Sequence, residues 1–417
     1  MRSRARQGRV VDAEVLMVGV DVAKWRHVAV LRTGRGFKSD AFGFTNDRAG
    51  FESLTQRAEA TRREQGCESV AFALEATGHY GHALRHFLID GGFAVVGINP
   101  AHTKRAKELE DNSPEKSDPK DADVIADLAL QGKGRLIVIP RGPFADLRRL
   151  GKLRERLVVE RIRLRNRYFA LVDLLFPELP SLVRDAASRT MQRLLAECPT
   201  PADIVAMGFE RLQPCLQRWS RGHVDADRSA RIYQAAKETV GIREGLDAAR
   251  LEMKQSLEAL AQVEGRMREV ETVQSQALEH VPYTDLLLSI PGLGRVTVAT
   301  VLGETGDLRA FRNAEAVIKF SGYNLYTMSS GIQRGNTRIT KRGRPLLRRL
   351  LFLAACRLSR FGAPLGTFHR RVRARRPGPV VLVGGCRKLL RLMVALVRDN
   401  KRYEPGRVGM PAPGTAA

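Results

Sequence analysis

The sequence predicts three consecutive regions: an α/β domain over residues 14–135, a helical region over 141–280 and a mainly α-helical domain over 283–400. Two patterns and one charge asymmetry point to it. Short apolar runs alternate with amphipathic stretches up to about residue 131, as in sheets wrapped by helices. Beyond that point, apolar residues recur every three or four positions. The charge divides at the same place. The chain carries 70 Lys+Arg against 45 Asp+Glu, a net +25, yet residues 1–140 hold 21 basic and 19 acidic side chains.

In the first region, "EVLMVGVD" (14–21) is a buried-strand run that ends in Asp21. "HVAVLRT" (27–33) and "FKSDAFGFTN" (37–46) read as two more strands joined by a glycine-containing turn. A helix over roughly 47–63 follows, capped by Asn46 or Asp47. Next come strand "SVAFALE" (69–75), helix "YGHALRHFLI" (80–89), a Gly-Gly break and strand "FAVVGIN" (93–99). A last helix starts near Asp118 and ends about Leu130. The expected order is β-β-β-α-β-α-β-α.

Residues 145–175 lack proline and read as one long basic amphipathic helix. Residues 198–226, broken by Pro, Gly and Trp, read as a connecting insertion. Helix resumes over 228–279, with Met253, Leu257, Leu260, Val263, Met267 and Val270 on one stripe. Two long helices around a break fit an antiparallel coiled-coil arm or dimer element, and nearly as well a plain helical linker. Short helices and an irregular stretch follow from Tyr283, and residues 403–417 are expected to be a disordered tail.

The charge points to a polyanionic partner. From Ala316 through Arg398 there is no Asp or Glu, while 19 positions are Lys or Arg. An ordinary solvated surface mixes both signs, so nucleic acid fits this stretch better. No segment pairs a basic face with a Trp/Phe-rich one, and no apolar run spans a bilayer, so no membrane partner is expected. Five scattered cysteines without a CxxC pair fit a reducing compartment and argue against structural zinc. With no signal-length apolar core at the N-terminus, the expected location is cytoplasmic and nucleoid-associated, of bacterial type.

The stretch "KSDPKDADVIA" (116–126), with Asp127 just beyond, concentrates Asp118, Asp121, Asp123 and Asp127. Asp118 before Pro119 is what a helix start requires, and capping alone would explain it. Asp21 and Glu75, however, close two strands of the same expected sheet, and the helix from Asp118 can reach that edge, where ligands gather in such folds. Converging carboxylates repel unless cations hold them, and Mg²⁺ (or Mn²⁺) takes oxygen ligands while keeping positions open for phosphate.

The strand order, together with "VGVDVAK", "ALEATGHY" and "KSDPKDADVIA", resembles the RuvC-like, ribonuclease-H-type domain of DEDD transposases, the insertion-sequence recombinases that include the Piv-type invertases. The resemblance implies that Asp21, Glu75, Asp118 and Asp121 bind the metal, leaving Asp123 and Asp127 as helix-surface residues. "SIPGLGRVTVATVLGETGD" (289–307) resembles a helix-hairpin-helix, in which the turn at Gly292 and Gly294 would let backbone N–H groups approach phosphate. "FSGYNLYTMSSGIQRGNTRITKRGRPLLRRLLFLAACRL" (320–358) resembles the C-terminal transposase domain of the same group. There the serine of the Ser-Gly element attacks the DNA phosphodiester and forms a covalent link, which implies Ser330, with Ser329 the fallback. Arg334, Arg338, Lys341 and Arg342 would orient the phosphate. Some members of the group are directed by a bridge RNA, so DNA, a structured guide RNA and a homodimer or homotetramer are the implied partners.

The implied activity is Mg²⁺-dependent cutting and rejoining of DNA at insertion-sequence ends. The alternative is a metal-only Holliday-junction-type nuclease with a purely structural Ser330. "VGVDVAK" also fits the first strand of actin-like sugar kinases, but their further Gly-rich phosphate loops are missing here.

Overall fold

The computed structural model describes residues 14–75, 78–111, 118–327, 337–360 and 364–405. It separates into two compact units, Met1–Ile139 and Pro140–Ala417.

The first unit is built on a six-stranded sheet: β1 (Val15–Asp21), β2 (Arg26–Thr33), β3 (Phe42–Thr45), β4 (Ser69–Glu75), β5 (Ala94–Ile98) and β6 (Arg135–Leu136). Their spatial order is β3-β2-β1-β4-β5-β6. β1 pairs parallel with β4, and β4 with β5; the other neighbours are antiparallel. Helices α1 (Arg48–Glu64) and α2 (His82–Asp90) cover one face, packing on Leu16, Val18, Val20, Phe72 and Leu74. Helix α4 (Asp118–Leu130) covers the other, packing on Val15, Met17, Ala71 and Ala73. The interiors of β1 and β4 are therefore apolar throughout, because the strand period of two sends alternate residues into two cores.

Three local readings need correction. The third strand is only four residues long; Lys38, within its expected span, makes just an isolated bridge to Arg32. An unexpected helix α3 (Pro100–Asp111) precedes α4, started by Asn99, whose Oδ1 accepts from the Ala101 N–H at 3.0 Å, and by Pro100 in the first helical position. It carries few apolar residues, so no stripe betrays it. β6 is a two-residue edge strand, too short to leave a pattern.

The second unit is helical. α5 (Pro143–Leu175) and α11 (Leu246–Glu279) run antiparallel. Arg154 pairs with Glu271, Glu160 with Arg266 and Arg167 with Glu252, so one index falls as the other rises. Leu157, Val263, Met267 and Val270 fill their seam. The expected connecting insertion at 198–226 lies within a packed helical layer: α6 (Leu179–Leu182), α7 (Arg189–Glu197), α8 (Pro201–Met207), α9 (Phe209–Ser220) and α10 (Ala226–Glu238). Its prolines sit at helix starts or inside α9, and Leu194, Ile204, Leu212, Leu216 and Ile232 bury against Tyr168, Val172 and Phe176 of α5. The stretch 228–279 is accordingly two helices with a break between them.

The remaining helices are α12 (Thr284–Leu288), α13 (Arg295–Thr305), α14 (Ala314–Ser321), α15 (Pro345–Leu358), α16 (Gly366–Arg373) and α17 (Gly378–Asp399), with a hairpin of β7 (Leu325–Thr327) and β8 (Thr337–Ile339) between α14 and α15. Leu147 of α5 joins their core with Val298, Leu302, Ile318, Leu347, Leu351 and Leu389. Tyr403, inside the expected tail, donates its N–H to Ser289 Oγ at 2.8 Å. Among the described residues, no helix is long and apolar enough to cross a membrane.

Candidate functional site

Two of the four acids are brought side by side by backbone geometry. In the parallel register Val20 lies opposite Leu74, so Asp21 and Glu75 follow side by side at the carboxyl ends of neighbouring strands. Both are half-buried. By alternation they belong to the face that carries Met17, Gly19 and Ala73, the face covered by α4. Gly19 lets that helix come close: a Cβ there would lie 2.1 Å from the Ala122 carbonyl oxygen and 2.6 Å from the Ala126 nitrogen. The Ala122–Ala126 turn of α4 is thus pressed on β1 two residues before Asp21. Glycine inside a strand is the sequence signal for such a close approach.

Asp121 is buried at 4% exposure, whereas Asp118, the first residue of the helix, is exposed. Asp121 Oδ1 accepts no hydrogen bond of good geometry, yet the Lys107 ammonium of α3 lies against it as an ion pair. The ion pair is the physically weighty fact, since a buried carboxylate demands a counter-charge before it demands a well-aligned donor. Lys107 was not legible in the sequence because its helix was not.

The other two acids of the cluster do different work. Arg32 donates to Asp123 Oδ1 at 3.0 Å, Lys38 donates to Asp123 Oδ2 at 2.7 Å, and Arg32 stands 3.7 Å from Asp127. These pairs tie α4 to β2 and to the turn after it. At the head of β2, buried His27 accepts the Ala23 N–H at its Nδ1 (3.1 Å) and packs edge-on to Phe44, fixing the turn that leaves Asp21. Burial pushes the His27 imidazole below its ordinary range.

All four acids offer carboxylate oxygens, the donors hard divalent cations take, and Asp121 carries a buried oxygen without a hydrogen bond. In chemistry and sheet position the set fits such an ion. Among the described residues, however, no three His, Cys, Asp or Glu side chains stand close enough to hold a metal as they are.

In the second unit, Gly292 adopts φ +86° in the turn before α13, and Gly294 caps that helix with open space where a Cβ would be. Arg338 on β8 and Lys341 and Arg342 beyond it are exposed. Lys341 takes a left-handed φ of 54°, held by its N–H to Gly322 O at 3.1 Å. Ser330, Ser329 and Arg334 lie outside the described residues.

Two family models match the chain: residues 18–177 match a transposase model of DEDD, IS110 type, and residues 284–370 match the transposase IS116/IS110/IS902 family. Together they span more than half of the chain. Among known proteins, the chain is similar to the 44.8 kDa protein of insertion element IS116 from Streptomyces clavuligerus, 26% identical over 94% of this chain and 96% of that one. It is also similar to the 43.6 kDa protein of insertion element IS110 from Streptomyces coelicolor, 26% identical over 76% of this chain and 78% of that protein.

Proposed function

This chain belongs to the IS116/IS110/IS902 transposase family and is a DNA transposase, and from that premise we infer that it cuts and rejoins DNA with a carboxylate-held divalent ion and a serine nucleophile. The observation that carries the reading is the parallel register of β1 and β4, in which Asp21 stands beside Glu75 on the sheet face that α4 covers. The strand order of the sheet supports a RuvC-like, ribonuclease-H-type assignment. The turn between α12 and α13 supports a helix-hairpin-helix.

In this reading Asp21, Glu75, Asp118 and Asp121 hold Mg²⁺ (or Mn²⁺), which when bound supplies positive charge against the phosphate oxygens. Lys107 withdraws from Asp121 as the carboxylates close in. Ser330 attacks the phosphodiester: its Oγ–P bond forms as one P–O bond of the DNA breaks, and its proton ends on the released DNA hydroxyl. Attack by a second DNA hydroxyl reverses the ester and frees Ser330. Arg334, Arg338, Lys341 and Arg342 neutralise the phosphate as charge builds on it. The antiparallel α5–α11 pair serves as the coiled-coil arm of a homodimer or homotetramer, and a structured guide RNA directs target choice. The division into residues 14–135, 141–280 and 283–400 is kept as a division of labour.

The test is to denature reaction mixtures and look for protein covalently attached to DNA. Wild type and Ser329→Ala form the adduct, whereas Ser330→Ala does not. A wild-type protein that cleaves without any adduct would establish the metal-only nuclease instead.

A further inference from the structure

Away from the acidic edge, the second unit holds a cluster of cations around a single buried carboxylate. Helices α5 and α13 pack almost backbone to backbone: a Cβ on Gly303 would stand 2.6 Å from the Leu147 carbonyl oxygen and 2.8 Å from the Arg148 nitrogen. One turn along, Gly151 meets Thr300, whose Cγ2 would lie 3.6 Å from a Cβ there. This crossing puts Glu304, next to Gly303, among Arg148 and Lys152, which share one face of α5 at i and i+4. Glu304 is only 5% exposed. The third cation is Arg344, at the start of α15, its Nε 3.9 Å from Glu304 Oε2 and its guanidinium 5.2 Å from the centre of the Phe320 ring.

The charges do not balance. Among the described residues, neither Arg148 nor Lys152 makes a hydrogen bond or a close ion pair, and Arg344 reaches Glu304 only at a distance too long for a hydrogen bond. Arg156, one turn further along α5, adds to the repulsion felt by Lys152. Burial first, and then Arg344, push the Arg148 guanidinium below its ordinary range. Burial first, and then Arg148, push down the Lys152 ammonium. Like charges held together and partly desolvated are costly unless an anion joins them.

The geometry points to a binding site for a nucleic-acid backbone phosphodiester formed by Arg148, Lys152 and Arg344, with Glu304 as the buried residue that positions them. Two guanidiniums and an ammonium suit the tetrahedral phosphate, and Glu304 keeps them apart at a fixed spacing when no phosphate is bound. DNA is the favoured source, since this chain acts on DNA. The site depends on that premise alone, and on neither the metal nor the serine chemistry. Arg344 follows Lys341 and Arg342 after a single glycine, so the site extends the basic strip after β8 onto the first turns of α5.

The experiment uses the full chain without divalent ions, so a failure of the proposed chemistry leaves it untouched. Fluorescence anisotropy of a labelled duplex, and of a labelled RNA of equal length, is measured against salt. For DNA, Arg148→Gln, Lys152→Gln and Arg344→Gln should each reduce the slope of log affinity against log salt, and the triple variant should reduce it by about 0.9, one phosphate contact. The charge-matched controls Arg48→Gln and Arg193→Gln should leave it unchanged. In melting experiments, Glu304→Gln should lower the transition temperature in chloride and regain most of the loss in inorganic phosphate of equal ionic strength, with a larger phosphate response than wild type. Slopes equal to the controls, or a phosphate response unaltered in the cation variants, would overturn the site; a change confined to the RNA would reassign its ligand. Lys152 is exposed, so its variant remains informative even if the half-buried Arg148 proves necessary for folding.

Discussion

The acidic edge of the first unit and the basic surface of the second gather charge by different means. At the edge, backbone geometry does it: two adjacent parallel strands end in carboxylates side by side, and the Ala122–Ala126 turn of α4 is pressed onto β1 at Gly19. In the second unit abundance does it, with 19 basic and no acidic residues from Ala316 to Arg398. There, single side chains such as Glu304 and Phe320 decide which cations are held. The difference teaches that the edge should be intolerant of any single change, while the basic surface should respond in increments.

The largest effect expected is at the edge itself. Asp21→Asn, Glu75→Gln or Asp121→Asn should lower the strand-transfer rate by on the order of a thousand-fold or more, because in the proposed reading each removes a charge from around the reacting phosphate. Asp123→Asn, two positions from Asp121, should keep nearly full activity and lose only about 1 kcal/mol of stability with its Arg32 and Lys38 pairs. Equal losses in Asp121→Asn and Asp123→Asn would end the distinction drawn between them.

Gly19→Ala tests the same edge without touching an acid. The added methyl meets the backbone of α4, so the helix must move, and denaturant unfolding should register a loss of about 2 kcal/mol. Activity should fall with it. Lys107→Met should destabilise the metal-free protein by about 3 kcal/mol, by leaving buried Asp121 unpaired. Added Mg²⁺ should recover part of that loss in a thermal melt, and an unchanged melting curve would show that the pair carries no weight.

The smallest effect concerns pH. The folded state holds the His27 imidazole below its ordinary 6.5, so in the window just beneath 6.5 the unfolded chain binds the proton and the folded chain does not. This contribution to stability is whole above 6.5 and declines as pH falls through that window. His27→Gln should flatten this part of the profile in urea titrations at stepped pH, and an unchanged slope would exclude the residue.

Much of the first unit was legible because continuous apolar runs and the acids that end them are local features. The helix at 100–111 was not, since its polar surface gives no stripe, although the Asn99-Pro100 start was there to be read. The helices of the insertion are not legible where proline is taken as a break, since Pro201 opens α8 and Pro214 lies inside α9.

By itself the sequence determined the alternation of strands and helices, the acids at their ends and the basic surplus, because each is written in the spacing or type of neighbouring residues. Only the tertiary structure decided that Asp121 faces Lys107, that Asp123 binds Arg32 and Lys38, and that Glu304 lies among Arg148, Lys152 and Arg344. Those partners are distant in the chain, and which charges meet depends on how helices seat on strands and on one another, down to the absence of a methyl at Gly19 and Gly303.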